Sequence, residues 1–363
     1  MNERTGFAPG RGYGAEWVVQ PVLKAEHLRK DFPLSQLLGG KRVVQAVEDA
    51  SLALFAGQAT ALVGESGSGK TTVARLLAGM HTPTRGDIIF KERAVHLQKS
   101  AERKHYIRQV QYVFQDPFSS LNPAHNIRYH LSRPLLRHGH AHNARQVEEQ
   151  ALALLEKVSL TPARQFLDKY PHQLSGGQRQ RVSIARSLAV RPSVLLADEP
   201  VSMLDVSIRL DILNLLLKLK EEEGLAFLFI THDIASARYF AEQTQVMYAG
   251  QMVEGGPSEE VIRRPRHPYT RLLRSAAPDP DRMAQAAEGN GVGTADAPER
   301  GEPPSLIKPP TGCRFHLRCP HAMEICRQTF PARTDFGGGH WTHCHLYPPS
   351  IHPDKTTFPQ EAK

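Results

Sequence analysis

The sequence predicts an α/β chain built on a mainly parallel β-sheet with helices on both faces. Three observations carry this. Short apolar runs alternate with stretches of helical length and spacing. One such run ends at Val63 and passes through a glycine-rich turn straight into a helical pattern. Another, at 194 to 197, ends in two acids and a proline. Strands joined by helical crossovers of this length pair in parallel and are covered on both faces.

The elements follow in order. Residues 1–20 are Gly-rich and lack apolar periodicity, so a flexible arm is expected there. A short β segment is expected at 21–30, and from 43 the chain alternates and then runs apolar up to Val63. In KTTVARLLAG, Val73, Leu76 and Leu77 share one helical face, and Gly79 is the expected stop. VQYVFQ at 110–115 reads as a strand. From 121 to about 190 helical spacing dominates, with breaks expected at Pro134, Pro162 and Pro171, which makes this an α-helical insert in the α/β core. Asp205 is placed to N-cap a helix running to Glu223, with Gly224 as its stop, and the strand at 225–231 leads to His232. Residues 279–311 are dominated by Ala, Gly, Pro and acids and read as a linker. Beyond it, 312–347 holds all four cysteines in a stretch too small for a core of its own, and 348–363 is a tail.

Composition bounds the function. The chain has 363 residues, which suggests roughly two domains at about 150 residues each. Lys and Arg number 45 against 37 Asp and Glu, a net charge of +8 and a pI near 9.3. With 40% hydrophobic residues and a mean hydropathy of −0.39, a substantial core is expected and disorder throughout is excluded. No apolar run reaches the roughly 18 residues that would span a bilayer, and the N-terminus lacks the pattern of a secretory leader, so a cytoplasmic location is expected. The positive charge suits nucleic acid, a lipid surface or an anionic ligand equally.

The strongest chemical signal is GESGSGKT at 64–71, the spacing of a phosphate-binding P-loop between a strand and a helix. Gly64, Gly67 and Gly69 let backbone N–H groups converge on phosphate oxygens, with Glu65, Ser66 and Ser68 between them. The helix N-terminus adds its positive end, Lys70 reaches the terminal phosphates, and the Thr71 hydroxyl suits Mg2+. An ordinary Gly-rich turn would give no reason for Lys70 and Thr71, and a dinucleotide-binding fingerprint would need glycine where Thr72 stands, a residue that instead joins the nucleotide contacts. VLLADEP at 194–200 presents Asp198 as a magnesium partner and Glu199 as general base for an attacking water. By itself this pair could equally be solvated acids at a strand end; the P-loop changes that balance. LSGGQRQRVSIARSL at 174–188 puts Ser175, Gly176, Gly177 and Gln178 at a second helix N-terminus, a cradle that suits a nucleotide bound to a partner chain.

At this point the chain resembles the nucleotide-binding subunit of an ATP-binding cassette (ABC) transporter, whose signature is similar to LSGGQ at 174–178. The resemblance implies a P-loop, RecA-like core with an antiparallel β subdomain and a helical subdomain within residues 21–278. It also implies two cassettes that sandwich two ATP molecules, so that Ser175 and Gly177 meet the γ-phosphate held by the opposite P-loop. Gln115 resembles the family's residue linking magnesium and attacking water to the membrane partner, and His232 the histidine that contacts the γ-phosphate and positions Glu199. Asp205, in VSMLD, resembles the acid of the loop between cassettes, and Phe32, in LRKDF, the aromatic that stacks on adenine. Val201 and Met203 depart from the family's commoner Thr and Ala. Taken singly, His232 could be a plain strand-end histidine, Asp205 a helix cap and Phe32 a core residue.

QDPFSSLNP at 115–123, HPYTRLL at 267–273 and GCRFHLRCPHAMEIC at 312–326 resemble the ATPase subunits of oligopeptide, dipeptide and nickel importers. The implied partners are two transmembrane permeases, a second ATPase that is either another copy or a similar chain, and indirectly an extracytoplasmic solute-binding protein. The implied location is the cytoplasmic face of the membrane, with residues 118–123 as the coupling surface and no nucleic-acid partner. Cys313, Cys319, Cys326 and Cys344 are spaced C-x5-C-x6-C-x17-C, a weak metal signal by spacing alone. The same resemblance suggests a [4Fe-4S] cluster there, with zinc or buried free thiols as alternatives. The five histidines between His125 and His142 read as a solvated surface. Two rival functions are a soluble ABC ATPase acting on nucleic acid or ribosomes, and a small-molecule kinase, for which LSGGQ and His232 would have no role.

Overall fold

The computed structural model describes residues 20–34, 42–276 and 301–349. The expected arm, most of the linker and most of the tail lie outside the described residues. The strands are β1 (Leu23–Leu34), β2 (Arg42–Leu54), β3 (Ala59–Val63), β4 (Arg85–Phe90), β5 (Arg93–Ala94), β6 (Val110–Val113), β7 (Val194–Asp198), β8 (Ala226–Thr231), β9 (Gln243–Tyr248), β10 (Gln251–Pro257), β11 (Arg333–Asp335) and β12 (Trp341–His343). They run in the order β5-β4-β1-β2-β10-β9-β3-β8-β7-β6, with β12 paired to both β10 and β11. β6, β7, β8, β3 and β9 are parallel neighbours, while β1, β2, β4 and β5 form the antiparallel part.

Every residue of β3, β7 and β8 is buried, as expected of parallel strands covered on both faces. Their two-residue period divides the core. Ala59, Ala61, Val63, Phe227 and Phe229 face the helical insert and the helix Val206–Glu223. Leu62, Leu196, Leu228 and Ile230 face Val73, Leu76 and Leu77 of the helix Lys70–Leu77 and the apolar side of β1 and β2. The P-loop therefore leaves the centre of a sheet that is packed on both sides.

The insert contains the helices Ile127–Arg137, Ala144–Lys157 and Gly176–Leu188. Asn126 and Asn143 cap the first two, each side-chain oxygen accepting the N–H of the residue three positions on. Pro134 does not break the first helix as expected but lies inside it. Its missing donor forfeits one bond, and Leu131 and Leu135, both buried one turn apart, hold the helix in the core nonetheless. The solvated histidine surface also needs correction at one position, since His130 is buried and its Nε2 lies 3.0 Å from the Asn122 carbonyl. Asp205 is the N-cap residue of the long helix, but its side chain makes no cap hydrogen bond; Gly224 ends that helix in the left-handed conformation.

The C-terminal residues build on the cassette. β12 pairs antiparallel with β10, and Trp341 joins the second core. Phe315, Cys313 and Cys326 share a third cluster with Val246, Tyr248, Val253, Val261 and Tyr269. The described end of the expected linker touches this assembly too: the Gln45 N–H donates to the Leu306 carbonyl at 2.8 Å.

Candidate active site

The P-loop is shaped by close backbone packing. A Cβ on Gly64 would lie 2.1 Å from the Met247 carbonyl oxygen, and one on Gly69 would lie 2.4 Å from that of Ala46, where φ is also +106°. Only glycine meets both demands. The tip, Ser66 and Gly67, is exposed, while Ser68 and Lys70 are buried. The Lys70 ammonium donates to the carbonyls of Gly64 (2.6 Å) and Glu65 (2.8 Å), folded back along the loop. Burial lowers its pKa, against the opposing pull of Glu199, Asp198 and Glu65. A ligand phosphate would offer that ammonium stronger acceptors than the two carbonyls.

The ends of three parallel strands deliver the remaining groups. Beyond β7, Thr71 Oγ1 donates to Asp198 Oδ1 at 3.1 Å and Tyr112 Oη to Asp198 Oδ2 at 2.6 Å. Burial raises the Asp198 pKa, opposed by these two hydrogen bonds. Glu199 stands in the left-handed region at φ 44°, its N–H donating to the Ile230 carbonyl at 3.0 Å. That turn aims its carboxylate toward β6 and β8: Gln115 Nε2 donates to Oε2 at 3.1 Å, and His232 Nδ1 lies 3.3 Å from the same oxygen. A carboxylate held by an amide and an imidazole at the carboxyl edge of a parallel sheet, beside a P-loop, can receive a proton from a water aligned on a terminal phosphate.

The signature residues form a self-contained turn. Ser175 Oγ accepts the Gln178 N–H at 3.3 Å, and Gln178 Oε1 accepts the Ser175 N–H at 3.1 Å. Gly177 is buried against Ile208, and Ser175 is exposed. Asp205 is exposed, and Thr72 is half-buried in the first turn of the P-loop helix. Phe32 is half-buried, edge-on to His81 at 5.3 Å with the Lys30 ammonium 4.9 Å over its ring; no described contact joins it to the groups around Glu199. Among 118–123, the side chains of 118 and 119 lie outside the described residues.

All four cysteines line one small cavity that is partly open to solvent, together with His267, Phe315 and Met323. Burial pushes the Cys313 thiol up to about 12 and the Cys344 thiol up to about 11. Among the described residues, no group of three or more His, Cys, Asp or Glu is arranged to hold a single metal ion.

Residues 47–202 match the ABC transporter family, and 253–326 match the C-terminal region of oligopeptide/dipeptide transporters. The chain is 40% identical over 331 residues to the probable peptide ABC transporter ATP-binding protein y4tS of Sinorhizobium fredii, covering 91% of each. It is 39% identical to the dipeptide transport ATP-binding protein DppF of Escherichia coli, over 88% of this chain and 92% of that one. The chain belongs to the ABC transporter ATP-binding family of oligopeptide and dipeptide importers. A solved relative of this ABC ATPase, the ATP-binding cassette MJ0796 captured as a dimer with ADP and Pi, superimposes with a TM-score of 0.57 at 28% identity, covering 65% of this chain and 98% of that one. The ABC ATPase hydrolyses ATP, and its P-loop and Glu199 cluster stand where the core delivers them. Among its described residues no helix is long and apolar enough to cross a membrane.

Three residues that contact the P-loop or Asp198 of this ABC ATPase were not singled out from the sequence. Tyr112 orients Asp198, Tyr269 Oη accepts the Glu65 N–H at 2.7 Å, and Arg318 pairs with the Glu65 carboxylate. Tyr112 lies in VQYVFQ, Tyr269 in HPYTRLL and Arg318 in GCRFHLRCPHAMEIC, so each sat inside a quoted motif whose partner lay far away in the chain.

Proposed function

We propose that this ATPase energises the import of oligopeptides or dipeptides through two separate permease subunits, working at the cytoplasmic face of the membrane. It would close on ATP as a pair with a second cassette, each signature turn meeting the other chain's γ-phosphate. Cargo class is supported by the match at 253–326 and by the peptide-transport relatives. The catalytic reading is carried by one observation, the convergence of Gln115 and His232 on Glu199 Oε2. Glu199 takes the proton of the attacking water, His232 and Gln115 fix its carboxylate, and Lys70 meets the terminal phosphates. Thr71 and Asp198, already within 3.1 Å of each other, are suited to hold Mg2+ with Gln115, and the ion would neutralise phosphate charge. Phe32 is assigned to adenine stacking and 118–123 to the permease contact.

Glu199→Gln should still bind ATP but lose hydrolysis by about 100- to 10,000-fold; wild-type turnover in that variant would refute the assignment. Reconstitution with the permeases in liposomes should give ATP-dependent peptide uptake. Purification with ribosomes or nucleic acid, and without membrane partners, would overturn the transport reading.

For the cysteines we propose a [4Fe-4S] cluster held by Cys313, Cys319, Cys326 and Cys344. A cubane takes one thiolate per iron around a shared volume, which four thiols lining one cavity can supply without converging on a point. Such a group would tie together a short module that otherwise leans on the cassette for its core. Anaerobic purification with iron and sulfide analysis tests it; a colourless, iron-free protein would remove it.

A further inference from the structure

The phosphate loop is held from outside its own strand and helix. All three polar groups of Glu65 are engaged: its N–H donates to Tyr269 Oη at 2.7 Å, and its carbonyl accepts from Lys70 at 2.8 Å. Its carboxylate takes two parallel bonds from Arg318, Nη1 to Oε2 at 2.7 Å and Nη2 to Oε1 at 3.0 Å. This fork geometry fixes direction as well as distance. The Arg318 side chain is only 12% exposed and also donates to Tyr248 Oη at 3.3 Å. Glu65 holds the guanidinium above its ordinary pKa range.

The same residues reach the cysteine cavity. Tyr248, Tyr269 and Phe315 pack tilted or edge-on to one another with ring centroids 4.6 to 5.3 Å apart. Behind them the buried Glu254 carboxylate accepts the N–H groups of Arg266 (2.7 Å) and His267 (2.8 Å), which fixes the turn leading to Tyr269. His267 Nδ1 accepts the Tyr269 N–H at 3.1 Å, so its proton sits on Nε2, 3.9 Å from Cys313 Sγ. Arg318 directly precedes Cys319. Packed and hydrogen-bonded groups thus run unbroken from the cavity wall to the loop.

We propose that Arg318 and Tyr269 are positioning residues for the phosphate loop, through which the cysteine-bearing C-terminal module sets nucleotide affinity without touching nucleotide. A loop with glycines at positive φ has many shapes open to it, and one already held in its binding shape loses less freedom when ligand arrives. By linkage, whatever in the module displaces Arg318 must change nucleotide affinity by the same factor that nucleotide changes the module. The proposal requires the P-loop to bind ATP and stands with the cavity filled or empty, so it does not share the fate of the cluster.

The test uses the full chain. Dissociation constants for ATP with Mg2+ are measured by calorimetry for the wild type, Arg318→Ala, Arg318→Lys, Tyr269→Phe, Glu65→Gln and the double variant Arg318→Ala/Glu65→Gln. Thermal unfolding without nucleotide is recorded for each. Arg318→Ala should weaken binding by about 5-fold or more, with Arg318→Lys between it and wild type. The double variant should bind no worse than Arg318→Ala, because both substitutions remove one pairing. Tyr269→Phe, which deletes a single hydroxyl and carries the test if Arg318→Ala fails to fold, should weaken binding to a smaller extent. Lowered melting temperatures with unchanged affinities would reduce both residues to structural props and overturn the proposal. Additive losses in the double variant would overturn it too, since Glu65 and Arg318 would then act separately.

Discussion

The chain carries two glycine-bearing turns at helix N-termini, and they are held in opposite ways. The P-loop depends on distant residues. Gly64 and Gly69 lie against Met247 and Ala46, the Ser68 carbonyl accepts the Gly250 N–H at 2.8 Å, and Glu65 is held by Tyr269 and Arg318, 204 and 253 residues away in sequence. The hydrogen bonds of the signature turn are its own, with Ser175 and Gln178 capping each other and Arg179 Nε donating to the Leu174 carbonyl at 3.0 Å. A loop that must surround phosphate within its own chain has its shape imposed by the fold. A turn that, as proposed, meets phosphate only on a second cassette keeps an exposed face and takes its polar support from within itself, while Gly177 and Leu174 pack against the core beneath it.

The comparison is broken most directly by one methyl group in each turn. Gly69→Ala combines positive-φ strain with backbone overlap, together about 3 kcal/mol or more, borne by the loop itself. ATP affinity should fall at least about 100-fold. Gly176→Ala places its Cβ 3.4 Å from Leu204 Cδ2, an ordinary contact. At the first position of a helix it should be neutral or stabilising by up to about 1 kcal/mol, with ATP binding by the isolated chain unchanged. Equal losses in the two variants, read by calorimetry, would dissolve the distinction.

Removing the local cap is the next largest effect. Ser175→Ala deletes the acceptor for the Gln178 N–H and should cost about 0.5–2 kcal/mol of stability, seen as a lower unfolding midpoint in urea. ATP affinity of the isolated chain should not move. A parallel loss of affinity would mean that the signature turn supports its own chain's P-loop after all.

What the sequence disclosed follows the same division. The strand, P-loop and helix from Ala59 to Leu77 were legible because their signals are local: a buried run, glycines at required positions, and one apolar helix face. Gln115, Glu199 and His232 could be named from motifs, and the sheet then brought three strand ends together. Arg318 could not be assigned to Glu65, because nothing within either segment points to the other. Local rules also overreached. Pro134 suggested a break where two buried leucines hold the helix, and Asp205 suggested a cap bond that its side chain does not make. His130 was grouped with exposed histidines, although it belongs to the insert's core.

That buried imidazole sharpens the contrast between the locally capped insert and the parallel core. Burial lowers the His130 pKa, with Arg186 and His125 adding to the shift and hydrogen bonds to backbone opposing it. The unfolded chain therefore takes up this proton first, near the ordinary value of about 6.5. Stability is full above that pH, begins to fall below it, and stops falling on this account once the pH is below the folded value. The slope is at most about 1.4 kcal/mol per pH unit for one histidine. Hydrogen exchange should show residues 127–137 opening more readily at pH 5.5 than at pH 7, while β3 and β8 change less. His130→Gln keeps an amide donor for the Asn122 carbonyl and does not titrate, so it should flatten the dependence. An unchanged slope in that variant would move the acid sensitivity to His138 and His140, whose pKa values burial also lowers.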